Sequence, residues 1–227
     1  ITQMGEQIIA QARSALTQAD TIIALADADK NQLSGELKLG AIFTLGPYLL
    51  PQLIPSLKLI ANQLTLSCYE GYNSDLRHKL RTSELDAILI SQPFIEPDVV
   101  TQEIYSEPLQ LVMPPNHALA AKKNIALDDL HEQSFLLLSE KQCLREQVLR
   151  VFEPAANNTI ECSSLDTLRH MIAIGLGISI LPSSATSSAI FSSQALVTRP
   201  LQTHPVRKIS LAWRASFPRH KAIDAVR

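Results

Sequence analysis

The sequence has few cysteines, scattered histidines and no long apolar run, and each lack excludes a class of protein. Its three cysteines, Cys68, Cys143 and Cys162, show no C-x-x-C spacing, so neither a zinc site nor a secreted disulfide framework is supported. The six histidines do not cluster, and we expect no metal and no cofactor. No apolar stretch is long enough to span a bilayer, and the first residues lack the layout of a signal peptide. A cytoplasmic protein without membrane contact is therefore predicted.

Basic clusters and catalytic motifs are missing as well. The 227 residues include 20 Lys and Arg and 22 Asp and Glu, a formal net charge of −2, and the basic residues form no run. This chain by itself is therefore expected to bind nucleic acid poorly. It contains no Gly-rich phosphate loop, no nucleophile elbow and no pair of carboxylates at catalytic spacing, so the sequence does not indicate an enzyme.

The opening 30 residues predict one long helix. Apolar residues recur at alternating spacings of three and four, which is the pattern of a helix seam. The seam consists of Ile9, Ala12, Leu16, Ala19, Ile23 and Ala26. A helix that pairs with a partner chain is the favoured interpretation, and a surface helix resting on its own domain is the alternative.

After a break at Gly35, strands and helices alternate in two series. The first series reads β-α-β-α-β, which predicts a mostly parallel sheet, and its second helix is expected to be capped by Asn73 or Ser74. The second series contains a helix that begins in a capping-box pattern at Ser163 and ends at Gly175 or Gly177. Strands are predicted at 37–41, 64–71, 86–91, 99–105, 109–115, 134–139, 158–163, 178–182 and 208–214.

The final segment, from about Leu211 onward, has no partner in the second series. The simplest packing returns it to the first series, which predicts an α/β fold of two Rossmann-like subdomains with a cleft between them. We expect a linker helix at 1–33, a first subdomain at 34–105 and 211–227, and a second subdomain at 106–210. Such a cleft suits a small ligand.

The stretch "SEKQCLREQVLR", residues 139–150, places Cys143 at the first turn of a predicted helix. Unpaired backbone N–H groups, the positive end of the helix dipole and the nearby Arg145 and Lys141 all favour a thiolate there. The alternative is a small buried core residue, the commoner fate of a free cysteine. The residues alone leave both interpretations open.

Several segments resemble the LysR-type transcriptional regulators. The opening "TQMGEQIIAQARSAL" resembles the end of their winged helix-turn-helix and the beginning of their linker helix. "GELKLGAIFTLGPYLLPQLIPSL", "LRTSELDAILIS", "PPNHALAAK", "SSLDTLRHMIAIGLGISILP" and "KISLAWR" follow in that family's order, over nearly the whole chain. Within the family, "TLGPYLLP" and "QCLREQ" are similar to OxyR, the peroxide-sensing branch, whose reactive cysteine lies in a Cys-Leu/Phe-Arg-Asp-Gln setting.

The resemblance implies a periplasmic-binding-protein-like fold of type 2 and the sensor domain of a transcription factor. Oxidation of Cys143 by hydrogen peroxide would change how the protomers of a homodimer or tetramer meet. DNA would be bound through an N-terminal domain that is absent here, and RNA polymerase is a candidate partner.

Further site residues follow from position and resemblance. Thr44 lies where a strand turns into a helix; it matches the family's pocket threonine, although such a residue is often only a helix cap. Arg214 matches a pocket arginine of the peroxide sensors, with a surface arginine as its alternative. Gln142 stands where those sensors usually have a histidine. Asn73 and Ser91 follow strands on the same side of the first sheet and complete the predicted effector pocket.

One departure from the OxyR pattern affects the redox hypothesis. The branch carries a resolving cysteine nine positions after the first cysteine, and this chain has Phe152 there. Cys162 is the alternative resolving cysteine, with strand-end packing as its competing role. A persistent sulfenic acid or capping by a small thiol are the other routes.

Two further functions stay open. A metabolite-sensing regulator of the same family would use the cleft without redox chemistry. A solute-binding protein of a transporter shares the two-lobed architecture and is the alternative from another class.

Overall fold

The computed structural model describes residues 2–5, 7–9, 11–12, 15–16, 19, 22, 32–187 and 196–227. Before position 30, the residues described from position 3 onward are helical, and the side chains of Leu16 and Ile22 are exposed. Ile23 and Ala26 of the predicted seam lie outside the described residues. Pairing of this helix with a partner chain stays a prediction. None of the helices described is long and apolar enough to cross a membrane.

The chain divides into two compact units. Unit 1 comprises Ile1–Ile42, Leu49–Ile104 and Ser210–Arg227, and unit 2 comprises Phe43–Tyr48 and Tyr105–Ile209. The segment Phe43–Tyr48 thus groups with unit 2, whereas the sequence places it in the first subdomain. Its side chains explain the difference, because they bond to residues of unit 2 described below.

Unit 1 is built on parallel strands. Its first elements are β1 (Gly35–Ile42), α1 (Gly46–Ile60), β2 (Leu64–Gly71), α2 (Asn73–Arg81) and β3 (Ala87–Ser91). β1 pairs in parallel with both β2 and β3, so that Leu39 lies opposite Cys68 in one pair and opposite Ala87 in the other. All five residues of β3 are buried, as expected of a strand covered on both faces. The predicted β-α-β-α-β series is confirmed.

Unit 2 combines antiparallel strands with a short parallel pair. Its elements after β4 (Val99–Met113) are β5 (Phe135–Leu138), α3 (Cys143–Val151), β6 (Thr159–Cys162), α4 (Leu165–Ala173), β7 (Ser179–Pro182), α5 (Ser184–Ser187) and β8 (Val197–Pro200). β4 pairs antiparallel with β7 and β8, and β5 pairs in parallel with β6. The core of this unit includes Leu111, Phe135, Leu144, Leu168 and Ile180, all nearly inaccessible to solvent.

Three local predictions are corrected. The strands expected at 99–105 and 109–115 form the single strand β4, which runs through Pro108; a proline is compatible with extended backbone, and its carbonyl accepts from the amide of Ser183 at 3.0 Å. Tyr72 is the N-cap residue of α2 and makes no side-chain cap hydrogen bond. Ser164 caps α4, and its hydroxyl accepts from the amide of Thr167 at 3.5 Å. β8 was not predicted at all.

The C-terminal residues complete unit 1. β9 (Val206–Arg214), whose last five residues belong to this unit, lies between β3 and β4, and α6 (His220–Val226) ends the chain. Arg219, at the N-terminus of α6, donates to the backbone carbonyls of Gln32, Ser34 and Glu36. The amide of Lys221 donates to the side-chain oxygen of Gln32 at 3.0 Å. These contacts attach the segment preceding β1 to the end of the chain.

Two glycines after α4 have distinct roles. Gly175 follows the C-cap Ile174 with φ +85°, the left-handed conformation that ends many helices, which confirms one of the two predicted stops. Gly177 lets two backbone segments approach closely, since a Cβ there would lie 2.5 Å from the carbonyl oxygen of Ser134. That oxygen accepts from the amide of Ile178 at 2.9 Å and therefore cannot move freely.

Gly177→Ala is expected to lower the free energy of unfolding by about 1–3 kcal/mol, because the added methyl group forces the backbone at Ser134 to shift. Urea denaturation measures the change. Leu176→Ala is the control at the neighbouring, half-exposed position and should change stability by less than about 0.5 kcal/mol. Equal losses in the two variants would contradict the close-approach argument.

Candidate functional site

A buried ion pair lies at the centre of the candidate site in unit 2. Arg207 Nε donates to Glu107 Oε1 at 2.6 Å, and the two side chains are 0% and 5% exposed. The second carboxylate oxygen of Glu107 accepts from the amide of Ser184 at 3.0 Å. A charge pair removed from water in this way is stable only when its remaining polar atoms are also bonded. The arrangement meets that requirement.

Arg207 also holds Thr44. Its Nη1 donates to Thr44 Oγ1 at 3.3 Å, and its Nη2 donates to the Thr44 carbonyl oxygen at 3.1 Å. Thr44 is fully buried in the turn between β1 and α1. Because its hydroxyl oxygen accepts from the guanidinium, its own hydrogen is available to donate.

Cys143 begins α3 and is partly exposed, and Arg207 is the cation whose charge acts on its thiol. Burial raises the pKa of the Cys143 thiol, and this is the largest effect. The charge of Arg207 and the backbone amides of Cys143 and Leu144 act in the opposite direction, while Glu146 raises the pKa further. The balance lies above the ordinary value, so the resting group is the protonated thiol.

This balance corrects the expectation that the position favours a thiolate. The helix N-terminus acts in the predicted direction, but burial outweighs it. Arg145 does not supply the expected charge, because its Nη1 donates to the carbonyl of Leu138 at 2.8 Å and lies 2.6 Å from Glu161 Oε1. Lys141 is exposed. The cation that lowers the pKa of Cys143 is Arg207, which is distant from it in sequence.

Sequence reasoning missed Arg207 because the predicted strand began one residue later, at 208. The observed β9 buries Arg207 and Ile209 while exposing Val206 and Lys208. Extending the alternation of β9 by two residues from Ile209 would have placed Arg207 on the inward face. Its partner Glu107 lies in β4, at a position between the two strands that the sequence predicts at 99–105 and 109–115.

Gln142 is the N-cap of α3, and Cys162 is the last residue of β6. Gln142 is buried, and its Nε2 donates to the carbonyl of Ser163 at 3.1 Å. Cys162 is partly exposed, with its Sγ 3.4 Å from the carbonyl oxygen of Ser164. Burial raises the pKa of the Cys162 thiol. None of the three cysteines is in a disulfide.

Phe152 has a packing role. It is the C-cap of α3, 5% exposed, and its ring lies 5.4 Å from the rings of both Phe135 and His131. These contacts place the residue in the hydrophobic core of unit 2.

Three predicted pocket residues lie in unit 1. Arg214 donates through Nη1 to the carbonyls of Leu80 and Leu85, each at 2.6 Å, so its observed contacts are structural. Asn73 Oδ1 is buried without a hydrogen-bond partner, and Ser91 is 3% exposed at the end of β3. The role of these three residues in an effector pocket stays a prediction.

A second polar group in unit 2 was not predicted. The hydroxyl of Tyr48 donates to Asp166 Oδ1 at 3.0 Å, and Arg169 Nη1 lies 3.4 Å from the same oxygen. Burial and the Asp166 carboxylate raise the pKa of Tyr48. Tyr105 is similar, since burial and then Glu107 raise its pKa to about 12. Both phenols are therefore neutral at physiological pH.

The described residues of the site favour the binding or reduction of a small polar molecule. The site supplies the Cys143 thiol, the Arg207 guanidinium whose charge acts on that thiol, and the Thr44 hydroxyl that is bonded to Arg207. These groups suit a small polar oxidant or anion. In the described part of the chain, no group of three or more His, Cys, Asp and Glu side chains is arranged to hold a metal ion.

The family model of the LysR substrate binding domain matches residues 30–227. The chain therefore belongs to the LysR-type transcriptional regulators, as the sequence segments predicted. Within them, it matches proteins of the OxyR branch. The predicted α/β fold, with the type 2 periplasmic-binding-like architecture of this family, is also confirmed.

Three relatives illustrate the match. A cysteine-to-aspartate variant of full-length OxyR from Pseudomonas aeruginosa is 46% identical, with a TM-score of 0.86, over 100% of this chain and 74% of that one. The hydrogen peroxide-inducible genes activator of Dickeya chrysanthemi is 30% identical over 96% of this chain and 72% of its own length. A hydrogen-peroxide-bound cysteine-to-serine mutant of Corynebacterium glutamicum OxyR is 25% identical, with a TM-score of 0.80, over 100% of this chain and 73% of that one. These matches are to regulators, so the solute-binding alternative loses its support.

Arg207→Gln alone is expected to lower the free energy of unfolding by about 3–5 kcal/mol, because Glu107 is left as an uncompensated buried charge. The double variant Glu107→Gln/Arg207→Gln should recover part of that loss. Urea denaturation measures both. Arg145→Gln, which breaks a pair with the half-exposed Glu161, is the control and should cost less than about 1 kcal/mol. A double variant no more stable than Arg207→Gln would contradict the assignment.

The rate at which iodoacetamide alkylates Cys143 should rise with pH and reach half its maximum at a pH above about 8.5, the pKa of an unperturbed cysteine. The double variant Glu107→Gln/Arg207→Gln should shift this midpoint further upward, since the cation that favours the thiolate is removed. Lys141→Gln is the matched control and should leave it unchanged. All of these chains also carry Cys68→Ser and Cys162→Ser, so that Cys143 is the only thiol measured. A pH midpoint that changes with Lys141→Gln and not with the Glu107→Gln/Arg207→Gln pair would contradict this electrostatic account.

Proposed function

We propose that this chain is the regulatory domain of a hydrogen-peroxide-sensing transcription regulator in which Cys143 is the residue oxidised. The observation that carries the proposal is the neighbourhood of its thiol: a helix N-terminus, and Arg207, which also binds Thr44. The relatives add support, since one is named a hydrogen peroxide-inducible genes activator and another was solved with hydrogen peroxide bound.

The raised pKa of the Cys143 thiol slows this reaction without preventing it, because the small thiolate fraction is the attacking form. As the sulfur bonds to one peroxide oxygen, the O–O bond breaks and the other oxygen leaves as water, taking the thiol proton. The products are a Cys143 sulfenic acid and one water molecule. Arg207 and the Thr44 hydroxyl stabilise the charge that develops on the oxygens during this step.

The oxidised domain would alter the geometry of a homodimer or tetramer, and with it the placement of N-terminal DNA-binding domains and any contact with RNA polymerase. Such a switch requires that oxidation stabilise one of two arrangements more than the other. The two units are proposed to be the two regulatory subdomains.

A short pulse of hydrogen peroxide followed by a sulfenic-acid trap such as dimedone tests the proposal. Peptide mass spectrometry should find the adduct, or a further oxidation product, at residue 143 in the wild-type chain and in Cys68→Ser. Cys143→Ser should show none at that peptide. Absence of any oxidation at residue 143 in the wild-type chain ends the redox proposal.

A metabolite sensor is the second candidate, favoured by the packed Phe152 at the position of the usual resolving cysteine. In that case, a small-molecule ligand should raise the melting temperature equally in the wild-type chain and in Cys143→Ser. A thermal-shift screen of small carboxylates and other anions measures this. Ligand stabilisation that requires the Cys143 thiol would count against this candidate.

A further inference from the structure

We propose that Cys162 resolves the sulfenic acid of Cys143, so that the oxidised state of this chain is a disulfide between the start of α3 and the end of β6. This inference rests on the proposed function, because it requires Cys143 to be oxidised first. It goes further by naming the second thiol and the region of unit 2 that responds.

The topology of unit 2 brings the two cysteines to one edge. β5 and β6 are parallel, with Leu138 directly opposite Cys162. Their carboxyl ends therefore lie side by side, about 4.8 Å apart. The pairing continues one step beyond the strand, because the amide of Ser139 donates to the carbonyl of Cys162 at 2.8 Å.

A tight turn returns the chain from β5 to the first residue of α3. The amide of Gln142 donates to the carbonyl of Ser139 at 3.0 Å, which closes this turn. The side chain of Gln142 then donates to the carbonyl of Ser163 at 3.1 Å. Gln142, which precedes Cys143, is therefore hydrogen-bonded to Ser163, which follows Cys162.

The other cysteine and the usual resolving position are unsuitable. Cys68 lies on β2 opposite Leu39 of β1, whereas the residues beside Cys143 and Cys162 are hydrogen-bonded to each other. Phe152 has no thiol and is packed against Phe135 and His131. Cys162 is partly exposed and outside any disulfide, and its thiol lies 3.4 Å from a single backbone carbonyl, that of Ser164. That weak contact is easily given up.

The condensation balances with hydrogen peroxide as the only oxidant. Hydrogen peroxide converts the Cys143 thiol to a sulfenic acid with loss of water. The Cys162 sulfur then bonds to the Cys143 sulfur, the S–O bond breaks, and the hydroxyl leaves as a second water with the Cys162 proton. The chain loses two hydrogens overall.

Disulfide formation requires the two Cα atoms to come within about 4.4–6.8 Å of each other. Because the hydrogen bond from Gln142 to the Ser163 carbonyl links the residues next to the two cysteines, the disulfide would displace the Gln142 side chain. Ser164 is the N-cap of α4, and Asp166 in the same turn holds Tyr48. The disulfide would therefore act on the start of α4 and, through Tyr48, on the segment Phe43–Tyr48.

The test compares the wild-type chain with Cys143→Ser, Cys162→Ser, Cys162→Ala and Cys68→Ser after a peroxide pulse. Free thiols are blocked with N-ethylmaleimide, and peptides are mapped without reduction. We expect a cross-linked peptide pair containing residues 143 and 162 in the wild-type chain and in Cys68→Ser. In both Cys162 variants, a sulfenic acid at Cys143 should accumulate, with at least tenfold more dimedone adduct than in the wild-type chain.

The outcomes separate the two proposals. Equal dimedone labelling of Cys143 in the wild-type chain and in the Cys162 variants, or a link from Cys143 to Cys68 of another chain, would overturn the resolving role and leave the peroxide reaction standing. No oxidation of Cys143 in the wild-type chain or in either Cys162 variant would end both. Circular dichroism of the serine and alanine variants verifies that they are folded.

Discussion

The buried pair of Glu107 and Arg207 is the constraint on which the rest of unit 2 depends. A carboxylate and a guanidinium persist away from water only while each stays bonded to the other and to further polar groups. Here those groups come from distant parts of the chain: Thr44 before α1 and the amide of Ser184 at α5. The charge that influences the Cys143 thiol is thus held by four separate segments, and none can shift without disturbing the others.

Much of the fold follows from hydrophobic periodicity. The parallel order of β1, β2 and β3 and the end of α4 at Gly175 could be predicted because each depends on local pattern. The continuity of β4 through Pro108 could not, since a proline ordinarily signals a break and here is accommodated by its pairing. β8 is a strand of four half-buried residues whose pattern carries no comparable signal.

The candidate site shows where sequence neighbours mislead. Cys143 was found because a helix terminus and a cysteine are both visible in the sequence. Arg145 and Lys141 were credited with its electrostatics because they are near in sequence, whereas Arg207 reaches it through the fold. Desolvation was invisible as well, because burial depends on the whole unit, and it decides the sign of the pKa shift.

Arg219 donates hydrogen bonds to three backbone carbonyls, and these bonds connect the two ends of unit 1. The carbonyls belong to Gln32, Ser34 and Glu36, at and just before the start of β1, and Arg219 is also the N-cap residue of α6. These hydrogen bonds therefore tie the start of the first strand to the last helix of unit 1. Any displacement of the start of β1 would therefore be transmitted to α6 at the other end of the sequence.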